Sequence, residues 1–88
     1  MNDVILYTQP GCGPCLGLKA KLKRDGREFT EVNIREDAAA VDRIKELGHP
    51  GTPVLEYTDA DGERQNFHGF RSDILEQIKK REDALAAA

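Results

Sequence analysis

The chain has 88 residues, of which 39% are hydrophobic and 33% charged, and its formal net charge at pH 7 is −3. This length permits a single domain over residues 1–88 with a modest hydrophobic core. The acidic balance argues against nucleic acid as a partner, since phosphate binding needs a concentrated basic patch. No apolar run approaches the roughly 20 residues that span a bilayer, and no signal-peptide pattern precedes the first strand. We therefore expect a cytoplasmic, monomeric protein with no membrane partner.

A strand followed by a helix is predicted at the start of the chain. Residues 4–7 (VILY) form a short apolar run typical of a buried central strand. The sequence QPG then breaks the strand, and Pro14 suits the first position of a helix, where its missing N–H costs nothing. Gly26 is a good left-handed stop for this helix. Its inner stripe, at spacings of three and four, is Cys15, Leu18 and Leu22.

A second strand and a second helix are predicted next. The strand covers residues 28–34, in which apolar and polar residues alternate imperfectly. Asp37 is a suitable N-cap for the helix, which Gly48 and Pro50 terminate. The apolar face of this helix is predicted to be Val41, Ile44 and Leu47, with Ala40 beside it.

A hairpin and a last helix complete the chain. Residues 54–58 and 63–67 flank the turn sequence DADG. The last helix is predicted to begin at Ser72 or Asp73, with Leu85 as a possible extension and residues 86–88 (AAA) as a fraying tail. Its inward residues are predicted to be Ile74, Leu75 and Ile78. The order βαβαββα is that of an α/β thioredoxin-like fold, with a four-stranded mixed sheet flanked by three helices.

Two cysteines lie at the predicted junction between the first strand and the first helix, in the sequence Cys12-Gly13-Pro14-Cys15. Unpaired N–H groups at a helix N-terminus stabilise an anion, so we predict that the pKa of Cys12 lies below its usual value of about 8.5. Cys12 is predicted to be the exposed nucleophile and Cys15 the buried resolving thiol. The short loop of Gly11, Gly13 and Pro14 keeps the two thiols close. The expected redox group is a Cys12–Cys15 disulfide, with no bound cofactor.

Other interpretations of the cysteine pair remain open. A zinc site would need two further ligands, and His49 and His68 are too far apart in the sequence to resemble a zinc-finger pair. An iron–sulfur cluster shared between two chains is an alternative of another class, as are two inert thiols.

The sequence Gly51-Thr52-Pro53-Val54 precedes the predicted third strand. A proline at this position can follow a cis peptide bond. A cis Pro53 would turn the Thr52 backbone outward, where its N–H and C=O can pair with an extended substrate segment. The alternative is an ordinary trans proline at the edge of a sheet.

Four segments of the chain resemble the glutaredoxin-like proteins of the NrdH type. They are residues 7–12 (YTQPGC), 46–49 (ELGH), 53–54 (PV) and 68–73 (HGFRSD). Glutaredoxins that use glutathione carry two glycines in the last segment, and here Phe70 replaces the second of them. Gln9 stands where the family often has Lys or Arg.

The resemblance implies a dithiol–disulfide oxidoreductase that thioredoxin reductase, an NADPH- and FAD-dependent enzyme, reduces in place of glutathione. It also implies electron delivery to a class Ib ribonucleotide reductase or to other protein disulfides. Thr52, Pro53, Gly69 and Phe70 are the implied substrate-binding residues, with Leu16 beside them. Phe70 is alternatively a core residue that covers the last helix. A glutathione-dependent dithiol glutaredoxin is the alternative function.

Overall fold

The computed structural model describes residues 1–87. Seven elements follow one another in chain order: β1 (Asn2–Thr8), α1 (Gly13–Arg24), β2 (Thr30–Asn33), α2 (Ala38–Glu46), β3 (Val54–Thr58), β4 (Arg64–His68) and α3 (Ser72–Ala87). This order confirms the predicted βαβαββα arrangement.

The four strands form one sheet in the order β2-β1-β3-β4. Strand β1 is central and runs parallel to β2, with Tyr7 opposite Val32. It runs antiparallel to β3, with Tyr7 opposite Val54. Strand β4 pairs antiparallel with β3 and forms one edge. The sheet is therefore mixed, as the sequence predicts, and its central strand leads directly into the cysteine segment.

Side chains on the two faces of the sheet form two separate apolar clusters, because successive residues of a strand point to opposite faces. Helices α1 and α3 cover one face, and helix α2 covers the other. The first cluster comprises Val4, Leu6, Leu18, Leu22, Leu55, Tyr57, Phe67 and Leu75. The second cluster comprises Tyr7, Ala40, Ile44 and Val54. Helices on both faces of the sheet are thus confirmed.

Helix α2 begins where the sequence predicts, but its buried face is shifted. The Asp37 carboxylate accepts hydrogen bonds from the backbone N–H groups of Ala39 and Ala40, at 3.0 and 3.3 Å. The helix buries Ala40 and Ile44. Val41, predicted to face inward, is only partly buried. Ala40 and Ile44 lie four residues apart on one stripe, and Val41 falls on its flank.

The predicted boundaries of four elements are wrong. Strand β1 covers Asn2–Thr8 and is longer than the predicted 4–7. Strand β2 covers Thr30–Asn33 and is shorter than the predicted 28–34, although Phe29 still packs against the core from outside the strand. Strand β4 begins and ends one residue later than predicted. Helix α3 extends to Ala87, so residues 86 and 87 are helical. Alanine has the highest helix propensity, which explains the extension. The predicted tail residue Ala88 lies outside the described residues.

A buried carboxylate on the α2 face of the sheet was not predicted. Glu56 in β3 is 4% exposed. Its Oε2 atom lies 2.6 Å from Nη2 of Arg43 on helix α2 and 3.4 Å from Nε of Arg64 on β4. The hydroxyl of Tyr7 donates a hydrogen bond to Oε1 at 3.0 Å. The hydrogen bond from Arg43 lowers the pKa of Glu56, and desolvation only partly opposes it. The ion pair between Glu56 and Arg43 joins α2 to the sheet.

This network predicts a pH-dependent contribution to stability. Because the pKa of Glu56 is lower in the folded protein than its unfolded value of about 4.3, its contribution is fully present above that pH. It disappears as the pH falls through the folded pKa. We expect Glu56→Gln to lower the free energy of unfolding at pH 7 by about 1–3 kcal/mol. The difference from wild type should shrink towards pH 3, measured by urea denaturation.

The matched control is Glu36→Gln, which changes an exposed carboxylate in the turn before α2. It should leave the unfolding free energy unchanged at pH 7. A Glu56→Gln deficit that is as large at pH 3 as at pH 7 would contradict the assigned role of the ionised carboxylate.

Candidate redox site

Cys12 lies between the end of β1 and the start of α1 and serves as the N-cap of the helix. Its backbone is extended, and its Sγ accepts a hydrogen bond from the backbone N–H of Cys15 at 3.2 Å. Gly13 is the first helical residue, so Pro14 lies one position later than predicted. Gly11 has φ of +76°, a left-handed conformation that favours glycine before the cysteine. Because the Cys15 N–H in the first turn of α1 donates to Sγ of Cys12, this sulfur faces the positive end of the helix.

The two cysteines form a disulfide, with their Cα atoms 5.2 Å apart. They differ in accessibility. Cys15 is 3% exposed, because it belongs to the stripe that helix α1 buries against the sheet. Cys12 is half-buried at the surface. A disulfide-exchange partner therefore reaches the Cys12 sulfur more readily than the Cys15 sulfur.

An open groove of about 240 Å³ lies beside the disulfide. Its wall carries a polar network that sequence reasoning missed. Glu31 of β2 accepts a hydrogen bond from the Thr8 hydroxyl at 3.0 Å and forms an ion pair with Lys19 at 2.7 Å. The hydrogen bond from Lys19 lowers the pKa of Glu31. The full lining is Thr8, Gln9, Pro10, Gly11, Cys12, Cys15, Leu16, Lys19, Glu31 and Asn33.

The loop before β3 is attached on one side to the segment that leads into Cys12 and on the other to the residues that follow β4. The Thr52–Pro53 peptide bond is cis. The side-chain amide of Gln9 donates a hydrogen bond to the Thr52 hydroxyl oxygen at 2.9 Å. The carbonyl oxygen of Pro53 accepts a hydrogen bond from the backbone N–H of Gly69 at 2.8 Å. The predicted site residues of these three segments are therefore connected in the structure.

Phe70 packs on helix α1 at Gly17, and sequence reasoning missed this contact. A Cβ atom placed on Gly17 would lie 2.8 and 2.9 Å from two carbon atoms of the Phe70 ring. The ring remains 43% exposed, and nearby on α1 Leu16 is 69% exposed. The alternative prediction, that Phe70 is a core residue covering the last helix, is therefore wrong. Only glycine at position 17 allows the ring to approach the helix so closely.

The two histidines that a zinc site would need lie near each other, with ring centroids 6.0 Å apart. Nε2 of His49 lies 2.6 Å from Oδ1 of Asn66. Within residues 1–87, no group of three or more His, Cys, Asp or Glu side chains is arranged to hold a metal ion. Over the same residues, no helix is both long and apolar enough to cross a bilayer.

A mixed four-stranded sheet, a Cys-x-x-Cys disulfide at a helix N-terminus and an adjacent cis-proline together define a class of protein. This class is the thiol–disulfide oxidoreductases of the thioredoxin fold. Their common reaction is exchange of two electrons between a dithiol and a disulfide.

Comparison with known proteins specifies the family. Residues 4–60 match the glutaredoxin family model. The gene 56 protein of Mycobacterium phage L5 is 33% identical over 76 residues, which is 85% of this chain and 70% of that protein. The glutaredoxin-like protein NrdH of Lactococcus lactis subsp. cremoris is 29% identical over 75 residues, covering 85% and 97%. The chain belongs to the glutaredoxin family and is of the glutaredoxin-like NrdH type.

A solved structure supports the fold assignment. The NrdH-redoxin from Escherichia coli superimposes with a TM-score of 0.75 at 23% identity, over 85% of this chain and 92% of that one. At this identity the likeness establishes the thioredoxin-like fold.

The contact between Gly17 and Phe70 predicts an unusual sign for a helix substitution. Replacing glycine by alanine inside a helix normally stabilises it by about 0.5–1 kcal/mol. Here the new methyl group would collide with the Phe70 ring, so we expect Gly17→Ala to destabilise the protein by about 1–3 kcal/mol. In a Phe70→Ala background the same change should become stabilising, as measured by urea denaturation of the four variants.

The additivity of the two substitutions is the critical observation. If Gly17→Ala has the same effect with and without the Phe70 ring, the contact does not determine the need for glycine at position 17.

Proposed function

We propose that Cys12 is the nucleophile and Cys15 the resolving thiol of a protein disulfide reductase. The Cys12 thiolate attacks one sulfur of a target disulfide, and the other target sulfur leaves as a thiolate that takes up a proton. Cys15, once deprotonated, then attacks Sγ of Cys12 and expels the second target thiol. The target gains two electrons and two protons, and the protein ends with the Cys12–Cys15 disulfide.

The difference in accessibility supports this division of roles. Cys15 is 3% exposed, whereas Cys12 lies at the surface and accepts the N–H of Cys15 at its sulfur. In the reduced protein the same N–H stabilises a thiolate at Cys12. Cys15 lies one helical turn further along, within reach of Cys12 and shielded from large substrates.

We further propose that thioredoxin reductase reduces this protein in the cytoplasm, and that the protein passes electrons to a class Ib ribonucleotide reductase or to other protein disulfides. The observation that carries this choice is the position of Phe70. Its ring lies on helix α1 at Gly17, two residues after Cys15 in the sequence. In glutathione-dependent glutaredoxins, glycine at this position leaves room for the tripeptide. The similarity to an NrdH protein favours the same choice.

The exposed apolar groups near Cys12 are suited to a protein partner. Leu16 and Phe70 are 69% and 43% exposed. Leu16 lines the groove beside Cys12, and Phe70 packs on the next residue of α1, Gly17. Hydrogen bonds connect the loop of Thr52 and Pro53 to Gln9, which precedes Cys12, and to Gly69, which precedes Phe70. An extended segment of a partner can pair with the Thr52 backbone while its apolar side chains contact Leu16 and Phe70.

The reductant is tested by coupled oxidation of NADPH. We expect rapid turnover with thioredoxin reductase and a protein disulfide, because Cys12 lies at the surface beside the exposed apolar side chain of Leu16. We expect slow turnover with glutathione and glutathione reductase. Rapid turnover with glutathione and none with thioredoxin reductase would overturn the proposal and support a dithiol glutaredoxin.

The variant Phe70→Gly tests whether the Phe70 ring is the reason that glutathione is a poor reductant of this protein. Removing the ring should raise the rate with glutathione, by about tenfold if the ring blocks a contact worth one or two hydrogen bonds. The control is Phe29→Leu, a side chain that packs on the core away from the cysteines. If Phe70→Gly leaves the glutathione rate unchanged, Phe70 does not exclude the tripeptide.

Trapping experiments distinguish the two cysteines. Cys15→Ser should accumulate a mixed disulfide between Cys12 and its target, because no second thiol releases it. Cys12→Ser should lose activity and trap nothing. The trapped mixed disulfides can be quantified by non-reducing electrophoresis and identified by mass spectrometry. Trapping by Cys12→Ser in place of Cys15→Ser would reverse the assigned roles.

A further inference from the structure

The backbone ladder between β1 and β3 stops just before the redox site. Tyr7 and Val54 form the last pair of the register at this end. The next residues along the antiparallel register bring Gln9 opposite Thr52. Pro53 lies between Thr52 and Val54 and has no N–H to donate, so the ladder cannot continue through it.

A side-chain hydrogen bond replaces the missing backbone pair. Nε2 of Gln9 donates to Oγ1 of Thr52 at 2.9 Å, and the bond is partly shielded from solvent. Gln9 lies three residues before Cys12 on the loop that carries it. The bond therefore joins the loop that leads into Cys12 to the loop proposed above as the docking segment.

The geometry points to Gln9 as a positioning residue: its hydrogen bond to Thr52 holds the docking loop in register with Cys12. This inference rests on the proposed docking role of Thr52 and deepens it. Ordering a loop residue on binding costs conformational entropy, and a loop already held in place avoids that cost. The Pro53 carbonyl is fixed from the other side by the N–H of Gly69, at 2.8 Å. Without Gln9, the loop would be held on one side only.

The Gln9 side chain is uncharged, which distinguishes an effect on the position of the loop from an electrostatic effect on Cys12. It is a neutral amide, and its donor is directed at Thr52. It therefore brings no charge to the Cys12 thiolate. A positioning role affects how an extended substrate binds, while the ionisation of Cys12 stays as it is.

The experiment measures reduction of an extended peptide disulfide and of hydroxyethyl disulfide, with dithiothreitol as the reductant. The variants are Gln9→Ala, Thr52→Val, the double variant and Thr52→Ser, which keeps the hydroxyl. Gln77→Ala, an exposed glutamine on α3, is the matched control. Unfolding curves establish that each variant is folded.

We expect Gln9→Ala and Thr52→Val each to raise the KM for the peptide by about three- to tenfold, with kcat within about twofold. The double variant should be no worse than either single variant, because both remove one bond. Thr52→Ser, which keeps the hydroxyl that accepts the Gln9 hydrogen bond, should have the peptide KM of the wild type. The pH at which half of Cys12 is ionised, followed by thiolate absorbance, should not move. The ratio of kcat/KM for the peptide to kcat/KM for hydroxyethyl disulfide should fall, because only the peptide binds through the docking loop.

Several results would overturn the inference. They are an unchanged peptide KM in folded Gln9→Ala, additive effects in the double variant, or a shift in Cys12 ionisation that accounts for the rate change. If wild type reduces neither disulfide, the proposed disulfide reductase function fails along with the inference. Failure to couple to thioredoxin reductase bears on the physiological reductant alone, since dithiothreitol drives this assay.

Discussion

Burial of one stripe of helix α1 against the sheet determines the geometry of the redox site. Leu18 and Leu22 are fully buried in the cluster between α1, α3 and the sheet. Each buried leucine contributes about 1.5–3 kcal/mol, so the rotation of the helix about its axis is strongly determined. Cys15 precedes Leu18 on the same stripe, and it is therefore buried as well. Cys12 caps the helix and remains at the surface. The difference in accessibility between the two cysteines follows from this packing.

Three segments that are distant in sequence are connected to one another and to helix α1, which begins after Cys12. Gln9 binds Thr52, the Pro53 carbonyl accepts the N–H of Gly69, and Phe70 packs on Gly17. These contacts involve two hydrogen bonds and one close apolar approach, so the docking surface proposed above is already formed in the structure without a partner. A preformed surface binds at a smaller entropic cost than a mobile one. On the other face of the sheet, the ion pair between buried Glu56 and half-buried Arg43 attaches α2 away from this surface.

Local signals predicted the elements well where a cap or an apolar stripe marked them. Asp37 begins α2, and Cys15, Leu18 and Leu22 form the inner stripe of α1, as expected. Boundaries without a stop signal were wrong. Helix α3 continues through residues 86 and 87 because alanine favours the helix and no glycine or proline interrupts it. Strand β2 begins two residues later and ends one residue earlier than predicted, since strand pairing depends on the neighbouring strand as well as on propensity.

By itself, the sequence determined the order of elements, the place of the cysteine pair at a strand–helix junction and the stripe that buries Cys15. These features depend on residues within one or two helical turns of each other, so periodicity and capping chemistry reveal them. The tertiary structure decided which distant residues meet: Gln9 with Thr52, Gly17 with Phe70, and Glu56 with Arg43. Those pairs depend on strand register and on how closely a loop approaches a helix. No local pattern specifies either quantity, because both are set when the sheet and its helices pack together.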